Sequence, residues 1–567
     1  MPDKRKGMLV YALLLTAAFS FRVAVARLLP NDTPDDGKIY AQIARNVLEQ
    51  HVYSHATEPP YEPSLIRLPG YPLFVAGIYS IFGHGDNTAV RITQALIDTA
   101  TCAMIALVAF FWEPQEKLKR RTSIAALALA AVCPFSTIYV ATILTEIPTI
   151  FLAIAMCLTA TLAFRAARQS HAMLLWSATG ILAGVAVLFR PDSGLFAAAI
   201  GITLVVTVLA RSSGLALGKR RDELLYRFSR ATYLGALFSL AFCLVLVPWA
   251  IRNYRMFHVF QPLAPAHAEM PGEFVPRGYL SWLRTWIDDE RHIGPVLWAL
   301  GESPITLNDI PYQAFDSAEE KKRVGALLEK YNHPPEEANT SGFEPQTPSA
   351  EEQDNQTQDN SNSNSADEGD NGDEANQGDE GDGSDQSDEG DTSQPTDQTA
   401  EKQPVEMTPE IDADFAKIAA ERVARHPFRY YVWLPLKRAR TLWFDTHSQY
   451  YPFEGELLPL EDLDHDTNQH IWLPLFAGLT FIYTVLGIAG AWFLWESREF
   501  VARQWVLLVA LIVFLRVGFF ATLENPEPRY VVEIFPFLSI LGGIALIRIL
   551  ARIGAKLSDY SLQKSRI

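Results

Sequence analysis

Two adjoining stretches decide the reading: "MLVYALLLTAAFSFRVAVARLL" at residues 8–29 and "TPDDGKIYAQIARNVLEQ" at residues 33–50. The first is apolar and long enough to cross a bilayer core of about 30 Å as a helix. It follows the basic start "MPDKRKG". A cleaved signal peptide has the same charge and an apolar centre, and "AVA" at 24–26 offers a cleavage site. The length of the run and the further apolar runs behind it favour an uncleaved spanning helix. The second stretch places Asp35 and Asp36 at the head of an amphipathic run, just where the chain leaves the membrane. An Asp there is an ordinary helix cap. A carboxylate pair beside a membrane surface can also do chemistry.

Working outward, the chain has 567 residues, 49% of them hydrophobic. Runs of about 17–25 apolar residues recur, as spanning helices require. The candidate spans are 8–29 and roughly 90–112, 123–140, 146–164, 172–189, 193–210, 233–250, 470–495, 505–521 and 533–550. "GYPLFVAGIYSIFG" at 70–83 is too short to cross and reads as a helix at the interface. The mean hydropathy of +0.05 averages these runs with very polar ones. The net charge of −17 comes from one place: residues 336–401 hold 21 Asp and Glu and no Lys or Arg, and without them the charge is +4. An acidic soluble protein is thereby excluded, and no nucleic-acid partner is expected. Cys102, Cys133, Cys157 and Cys243 lie in or beside apolar runs, without metal-site or redox spacing, and read as packing residues.

The expected fold class is an all-α polytopic membrane protein. It has about ten transmembrane helices, interfacial helices in a small extracytoplasmic layer, and a disordered acidic insertion. The expected division is a transmembrane module over 1–250 with its first external loop at 30–89, extracytoplasmic segments at 251–336 and 406–469, the insertion at 337–405, and closing spans over 470–567. Low apolar content and like-charge repulsion in 337–405 cannot offset the entropy of ordering. Its "DEGD" fragments lack the spacing and terminal Glu of a calcium loop. With ten spans, the segments carrying Lys4, Arg5 and Lys6, then Lys117 to Arg121, Arg165 and Arg168, Lys219 to Arg221, Arg498 and Arg503, and Lys556 to Arg566 fall on one side. The positive-inside rule makes that side cytoplasmic, with both termini on it. The expected location is the plasma (inner) membrane.

Beyond the Asp pair, the first external loop continues as "YEPSLIRLPGYPLFVAGIYSIFG" (61–83), with Arg67 before a Pro-Gly-Tyr-Pro turn. An acid, a cation and a rigid turn at a membrane surface could hold an acceptor against a lipid-borne phosphate. Together with Asp-x-x-x-Tyr at 36–40, this loop resembles that of the GT-C glycosyltransferases, in the bacterial branch related to protein O-mannosyltransferases and the lipid A aminoarabinose transferase. Further segments resemble the family in order: "ILTEIPTIFLAIA" (143–155), "AGVAVLFRPDSGLF" (183–196), "LVPWAIRNYRMFHVFQPL" (246–263), "ERVARHPFRYYVWLPLKRARTLWF" (421–444) and "NPEPRYVVEIFPFLSILGG" (525–543).

The resemblance implies transfer of a sugar from a polyprenyl-phosphate donor, undecaprenyl phosphate being the expected carrier, to a lipid, glycan or protein acceptor on the outer face. It puts Asp36 at the family's catalytic aspartate, as general base in an inverting displacement, with Asp35 as the near neighbour. Arg67, Arg252, Arg255, Arg529 and Tyr530 are the expected partners of the donor phosphate. Tyr40, Glu62, Tyr71, Glu146 and Arg190 are the other cavity candidates. For each Arg the plain alternative is snorkelling at a helix end. Relatives of the aminoarabinose-transferase type carry an acid directly before the basic residue of the turn. Ile66 stands there, with Glu62 and Glu58 shifted away. No cofactor motif is present, and a divalent metal finds no motif to support it.

Three other readings compete. A flippase or transporter of polyprenyl-linked sugars would show internal repeats, and none is evident. A membrane scaffold displaying the acidic tract would need neither Asp36 nor Arg67. An oligosaccharide ligase or polymerase of similar architecture differs in donor size, which sequence does not reveal.

Overall fold

In the computed structural model, residues 2–29, 35–210, 220–334, 405–444, 467–497 and 499–564 are described. Among the described residues the regular structure is helical, with no strand. The chain runs through α1 (Pro2–Leu28), α2 (Asp35–Glu49), α3 (Gly70–Phe82), α4 (Asn87–Trp112), α5 (Lys119–Ala131), α6 (Pro134–Thr137), α7 (Glu146–Arg165), α8 (Gln169–Phe189), α9 (Gly194–Ala210) and α10 (Arg220–Phe257). There follow α11 (Arg277–Leu283), α12 (Ala318–Asn332), α13 (Pro409–Arg425), α14 (Leu434–Phe444), α15 (Thr467–Glu496), α16 (Phe500–Phe520), α17 (Arg529–Val532) and α18 (Phe535–Lys564). Nine helices among the described residues are long and apolar enough to cross a membrane, or ten if the bent pair Lys119–Ala131 and Pro134–Val140 counts as one span. The protein is thus an all-α polytopic membrane protein, as its apolar runs predict.

The run expected to cross at 123–140 is the exception. It is broken, with a bend of 48° between its halves. Pro134 opens α6 and has no N–H to give the Ala130 carbonyl one turn back, so the helix cannot continue through it. Arg22 repairs the break: its guanidinium donates to the Ala130 and Ala131 carbonyls, each at 3.1 Å. The charge this introduces is met by Asp98 of α4, 2.6 Å from Arg22 Nε. A charged residue inside the first apolar run is therefore the splint of a later one. Likewise α10 exceeds the expected 233–250 and runs on to Phe257 with Pro248 inside it. The expected last span, 533–550, begins instead at Phe535.

Small residues set the helix crossings, as they do where lipid supplies no hydrophobic drive. A side chain at Gly180 would come within 2.3 Å of the Phe238 carbonyl, and one at Gly184 within 2.8 Å of Phe242's. Those two glycines let α8 and α10 touch backbone to backbone. Helix α3 buries Tyr71, Val75 and Tyr79 with Ala41 and Ala44 of α2, while Leu73, Ile81 and Phe82 stay exposed. That one-sided apolar exposure on a short helix suits the interface.

Beyond one end of the bundle lies a second core. Tyr279 and Trp282 of α11 pack on Phe415 of α13, with ring centroids 4.9 and 5.1 Å apart. Buried Arg438 of α14 fastens this layer to the bundle, donating to the carbonyls of Ile287 and Arg284 at 2.7 Å each. The segment 337–405, expected to be disordered, falls outside the described residues except for Val405, as does most of 445–469. The ends flanking the insertion meet: the Glu406 N–H donates to the Tyr331 carbonyl at 3.1 Å. Excising roughly residues 345–400 and closing with a short Gly/Ser linker should therefore leave folding and membrane insertion intact, since loop-closure cost changes slowly with length. Size-exclusion profile and thermal midpoint in detergent check this, and loss of the monodisperse protein would make the tract structural.

Candidate active site

Asp36 lies in the first turn of α2, immediately beyond the first span. Its Oδ1 accepts from Arg67 Nη2 at 2.8 Å, and its Oδ2 faces Arg529 Nη2 at 3.4 Å. The two arginines come from opposite ends of the chain. Arg67 sits on a coiled stretch that is firmly held. Tyr53 Oη donates to the Arg67 carbonyl at 3.1 Å, and the Ser64 N–H to the Tyr53 carbonyl at 2.8 Å. Asn46 Nδ2 donates to the carbonyls of Ser54 and Ala56, both at 2.8 Å. Arg252 at the end of α10 clamps the same stretch through the Ser64 carbonyl at 2.8 Å. Its guanidinium lies over the rings of Trp249, Phe257 and Tyr53, 4.9 to 5.4 Å from their centroids.

Arg529 opens α17, behind "NPEP". Its Nε lies 2.6 Å from Glu527 Oε1. The Glu527 side chain is wholly buried, and its Oε2 has no hydrogen-bond partner among the described residues. The Tyr530 ring is flanked by the guanidiniums of Arg190 and Arg529, at 5.3 and 5.4 Å, and stacks on Phe520 at 4.5 Å.

Behind Tyr530 lies a denser network. Arg190 pairs with Glu146 at 2.8 Å, Asp192 at 3.0 Å and Glu533 at 3.4 Å. Arg516 pairs with Asp192 at 2.8 Å and Glu533 at 2.9 Å, and donates to the Tyr530 carbonyl at 2.7 Å. Tyr40 meets Tyr71 edge to face at 5.1 Å. Tyr71 Oη donates to Gln94, whose amide donates to the Thr142 carbonyl at 2.7 Å and so fixes the turn that leads into Glu146.

The electrostatics separate the acids. Burial pushes the Asp36 carboxyl up, but Arg529 and Arg67 more than offset it and hold it below the ordinary aspartate value. Burial pushes Tyr40 up to about 12, so its hydroxyl stays neutral. Burial also raises Glu527, against the pull of Arg529. Asp36 keeps 31% of its side-chain surface exposed and Glu527 none. Of the two acids at Arg529, only Asp36 can meet an incoming hydroxyl.

Of the residues expected from sequence, Asp36, Arg67, Arg529 and Tyr530 come together, with Tyr40, Tyr71, Glu146 and Arg190 around them. Arg252 stands behind, holding the Arg67 stretch. Glu62 is exposed and makes no ion pair among the described residues, and the same is true of Arg255. Asp35 opens α2, and its side chain lies outside the description. Sequence reasoning passed over Glu527, Glu533, Asp192 and Arg516. A signal existed for Arg516: a charge within the apolar run 505–521 must find a partner. Among the described residues no group of three or more His, Cys, Asp or Glu is placed to hold a metal ion.

Residues 62–249 match the family described as dolichyl-phosphate-mannose-protein mannosyltransferase. The matched range contains Arg67, Tyr71, Glu146 and Arg190 and stops short of Asp36 and Arg529. No curated protein matches the sequence. Among solved structures, an Archaeoglobus fulgidus oligosaccharyltransferase tethered to an acceptor peptide is 12% identical, with TM-score 0.48 over 96% of this chain and 50% of its own. The oligosaccharyltransferase AglB of Archaeoglobus fulgidus, in complex with an inhibitory peptide and dolichol phosphate, is 14% identical, with TM-score 0.45 over 100% of this chain and 52% of its own. ArnT of Cupriavidus metallidurans bound to undecaprenyl phosphate is 13% identical, with TM-score 0.35 over 95% of this chain and 77% of its own. All three scores fall below 0.5, and the chain spans about half the length of the archaeal proteins. The family match covers residues 62–249, about a third of the chain, and that segment is similar to the mannosyltransferase family.

Proposed function

We propose that this protein transfers a sugar from a polyprenyl-phosphate-sugar donor to a hydroxyl of a lipid, glycan or protein acceptor at the extracytoplasmic face of the plasma membrane. The observation that carries the reading is one partly exposed carboxylate, Asp36, held between two guanidiniums where the chain leaves the membrane. Arg67 and Arg529 suit the donor phosphate, since charge-assisted contacts from guanidinium to phosphate are strong and directional. When the phosphate takes the arginines, Asp36 is released to the acceptor. The acceptor oxygen attacks the anomeric carbon, its proton passes to Asp36, and the bond from that carbon to the phosphate oxygen breaks. The lipid phosphate leaves as an anion on the two arginines, and attack from the opposite face inverts the configuration. A carboxylate ionised at neutral pH is a competent base if within hydrogen-bond reach. Tyr40 and Tyr71 support the floor of the site.

The test is incubation of the purified protein with polyprenyl-phosphate hexoses and pentoses and a hydroxyl acceptor, reading released lipid phosphate. No release from any donor would remove the reading. Orientation has its own test. A reporter fused after residue 300 should read extracytoplasmic, and one fused after 215 cytoplasmic, with both termini cytoplasmic. A cytoplasmic signal at 300 would put the site on the wrong face for a lipid-linked donor presented outside.

A further inference from the structure

The charges around Asp36 leave little room for another anion. Arg67 and Arg529 are already matched by Asp36 and Glu527, and Arg190 and Arg516 are outnumbered by Glu146, Asp192 and Glu533. A phosphate entering this site brings one more negative charge. It can take Arg529 only by displacing the carboxylates now on it. Asp36 has an outlet, being partly open to solvent. Glu527 has none: it is fully buried, one oxygen is on Arg529 and the other has no hydrogen-bond partner among the described residues.

We propose that Glu527 is a proton-accepting positioning residue of the lipid-phosphate site, taking up a proton from the outer solvent when the phosphate claims Arg529 and returning it on release. This rests on the phosphate-binding reading given above. The groups that face Glu527 are Arg529 on its own segment, Glu146 of α7, Asp36 of α2 and Arg190 at the end of α8. Two of the four are acids that disfavour its charge. Only the two arginines favour it, and the phosphate would take the nearer. Of the acids here, Glu527 is the one whose cationic partner is lost without water to replace it. Asp36 keeps 31% of its side-chain surface open, so water can take the place of the arginines there. Glu533, which burial holds at about 7, keeps Arg190 and Arg516 whether or not phosphate is bound. Protonated, Glu527 no longer competes for Arg529. Ionised again, it helps expel the lipid phosphate product, whose release turnover requires.

The linkage has a fixed sign. A group that titrates higher in the complex than in the free protein makes binding take up protons, and affinity falls as pH rises. The probe is dodecyl methyl phosphate, a lipid phosphodiester that does not itself titrate between pH 6 and pH 9 by any group of its own. Calorimetric titration of the full-length protein in detergent, in two buffers of different ionisation heat, reads the protons taken up. Wild type should take up a substantial fraction of one proton per ligand near neutral pH, and its affinity should fall by up to about tenfold per pH unit on the alkaline side. Glu527→Gln should bind with no uptake, with a flat pH profile, and more tightly than wild type at high pH. A purely structural Glu527 would give weaker binding in the Gln variant and unchanged uptake. Glu527→Asp, which keeps a carboxylate, should restore the uptake. Absence of uptake in wild type overturns the proposal even if the Gln variant does not fold, and uptake persisting in Glu527→Gln overturns it by assigning the proton elsewhere. Arg67→Ala separates the two layers. If it binds the probe as wild type does, the phosphate-site reading fails, whereas lost binding in Arg67→Ala with no wild-type uptake removes the role of Glu527 alone.

Discussion

Asp36→Asn is expected to lower turnover by about 10²-fold or more, the range typical of a lost general base, while fold and donor binding survive. Asn keeps the size of the side chain, and Asp36 lies inside the first turn of α2 and does not cap it. The helix that carries it should therefore stand. The amide can still accept from Arg67, but it cannot take a proton from an acceptor hydroxyl. Removing a carboxylate from between Arg67 and Arg529 also removes an internal competitor for the phosphate, so donor affinity should hold or rise. Arg67→Ala should show the opposite split, weaker donor binding with a smaller loss in turnover at saturation. Initial rates and donor affinities for Asp36→Asn, Asp35→Asn and Arg67→Ala on one substrate resolve the roles. Wild-type turnover in Asp36→Asn with a dead Asp35→Asn would move the base by one residue. The pH profile adds a check. Because Arg529 and Arg67 hold the Asp36 carboxyl down in the free protein, the acidic limb of kcat/KM should lie below the ordinary aspartate value. Removing either arginine should move that limb up.

The spans were legible because each is a long apolar run, and length against bilayer thickness is a strong signal. Nine of the expected crossings are intact helices, and the tenth is broken where Pro134 interrupts it. What the run at 123–140 could not reveal is that Arg22, about a hundred residues earlier, would supply the hydrogen bonds the break sets free. The site was legible in half. Asp36 and Arg67 stand out in one loop, but their ion pair closes across 31 residues and is visible only in the fold. Arg529 was found through resemblance. Glu527, two residues before it, was passed over because an acid in a Pro-rich turn looks like surface until the fold buries it. Arg252 read as a phosphate ligand because it ends a helix at the right level. Its aromatic neighbours Tyr53 and Trp249 come together only in three dimensions, and they turn its charge to holding the loop. Pairings that close across hundreds of residues leave no local pattern.

Arg516 carries the second large expectation, and it concerns the frame on which the site hangs. Its side chain is fully buried near the end of α16, and one guanidinium serves Asp192 at the start of the next-packed span, Glu533 before the last span, and the Tyr530 carbonyl. Arg516→Leu fits the apolar surroundings but leaves Glu146, Asp192 and Glu533 with Arg190 alone. Removing one partner from a buried ion pair costs about 3–5 kcal/mol, because the remaining charge stays out of water. A loss of that size should sharply lower the thermal midpoint and the monodisperse fraction in detergent. Arg516→Lys should recover only part of it, since the ammonium keeps the charge but ends one bond short of Nη2, the nitrogen that reaches both carboxylates and the carbonyl. Adding Glu533→Gln to Arg516→Leu should recover more, because it removes the charge that was stranded. The pH dependence has a definite sign. Glu533 titrates higher in the folded protein, at about 7, than an ordinary glutamate does, so its ionisation costs stability as pH rises from the ordinary glutamate value through the raised one. Without Arg516 that cost should grow, making the variant most stable at the acidic end of this window. The site should feel the change before the fold fails. Tyr530 loses the anchor on its carbonyl, Arg529 is its neighbour, and donor affinity in the surviving folded fraction should drop along with the midpoint. An Arg516→Leu protein as stable as wild type would mean that the acids are neutral in the folded state, and that Arg190 alone holds the end of the bundle together.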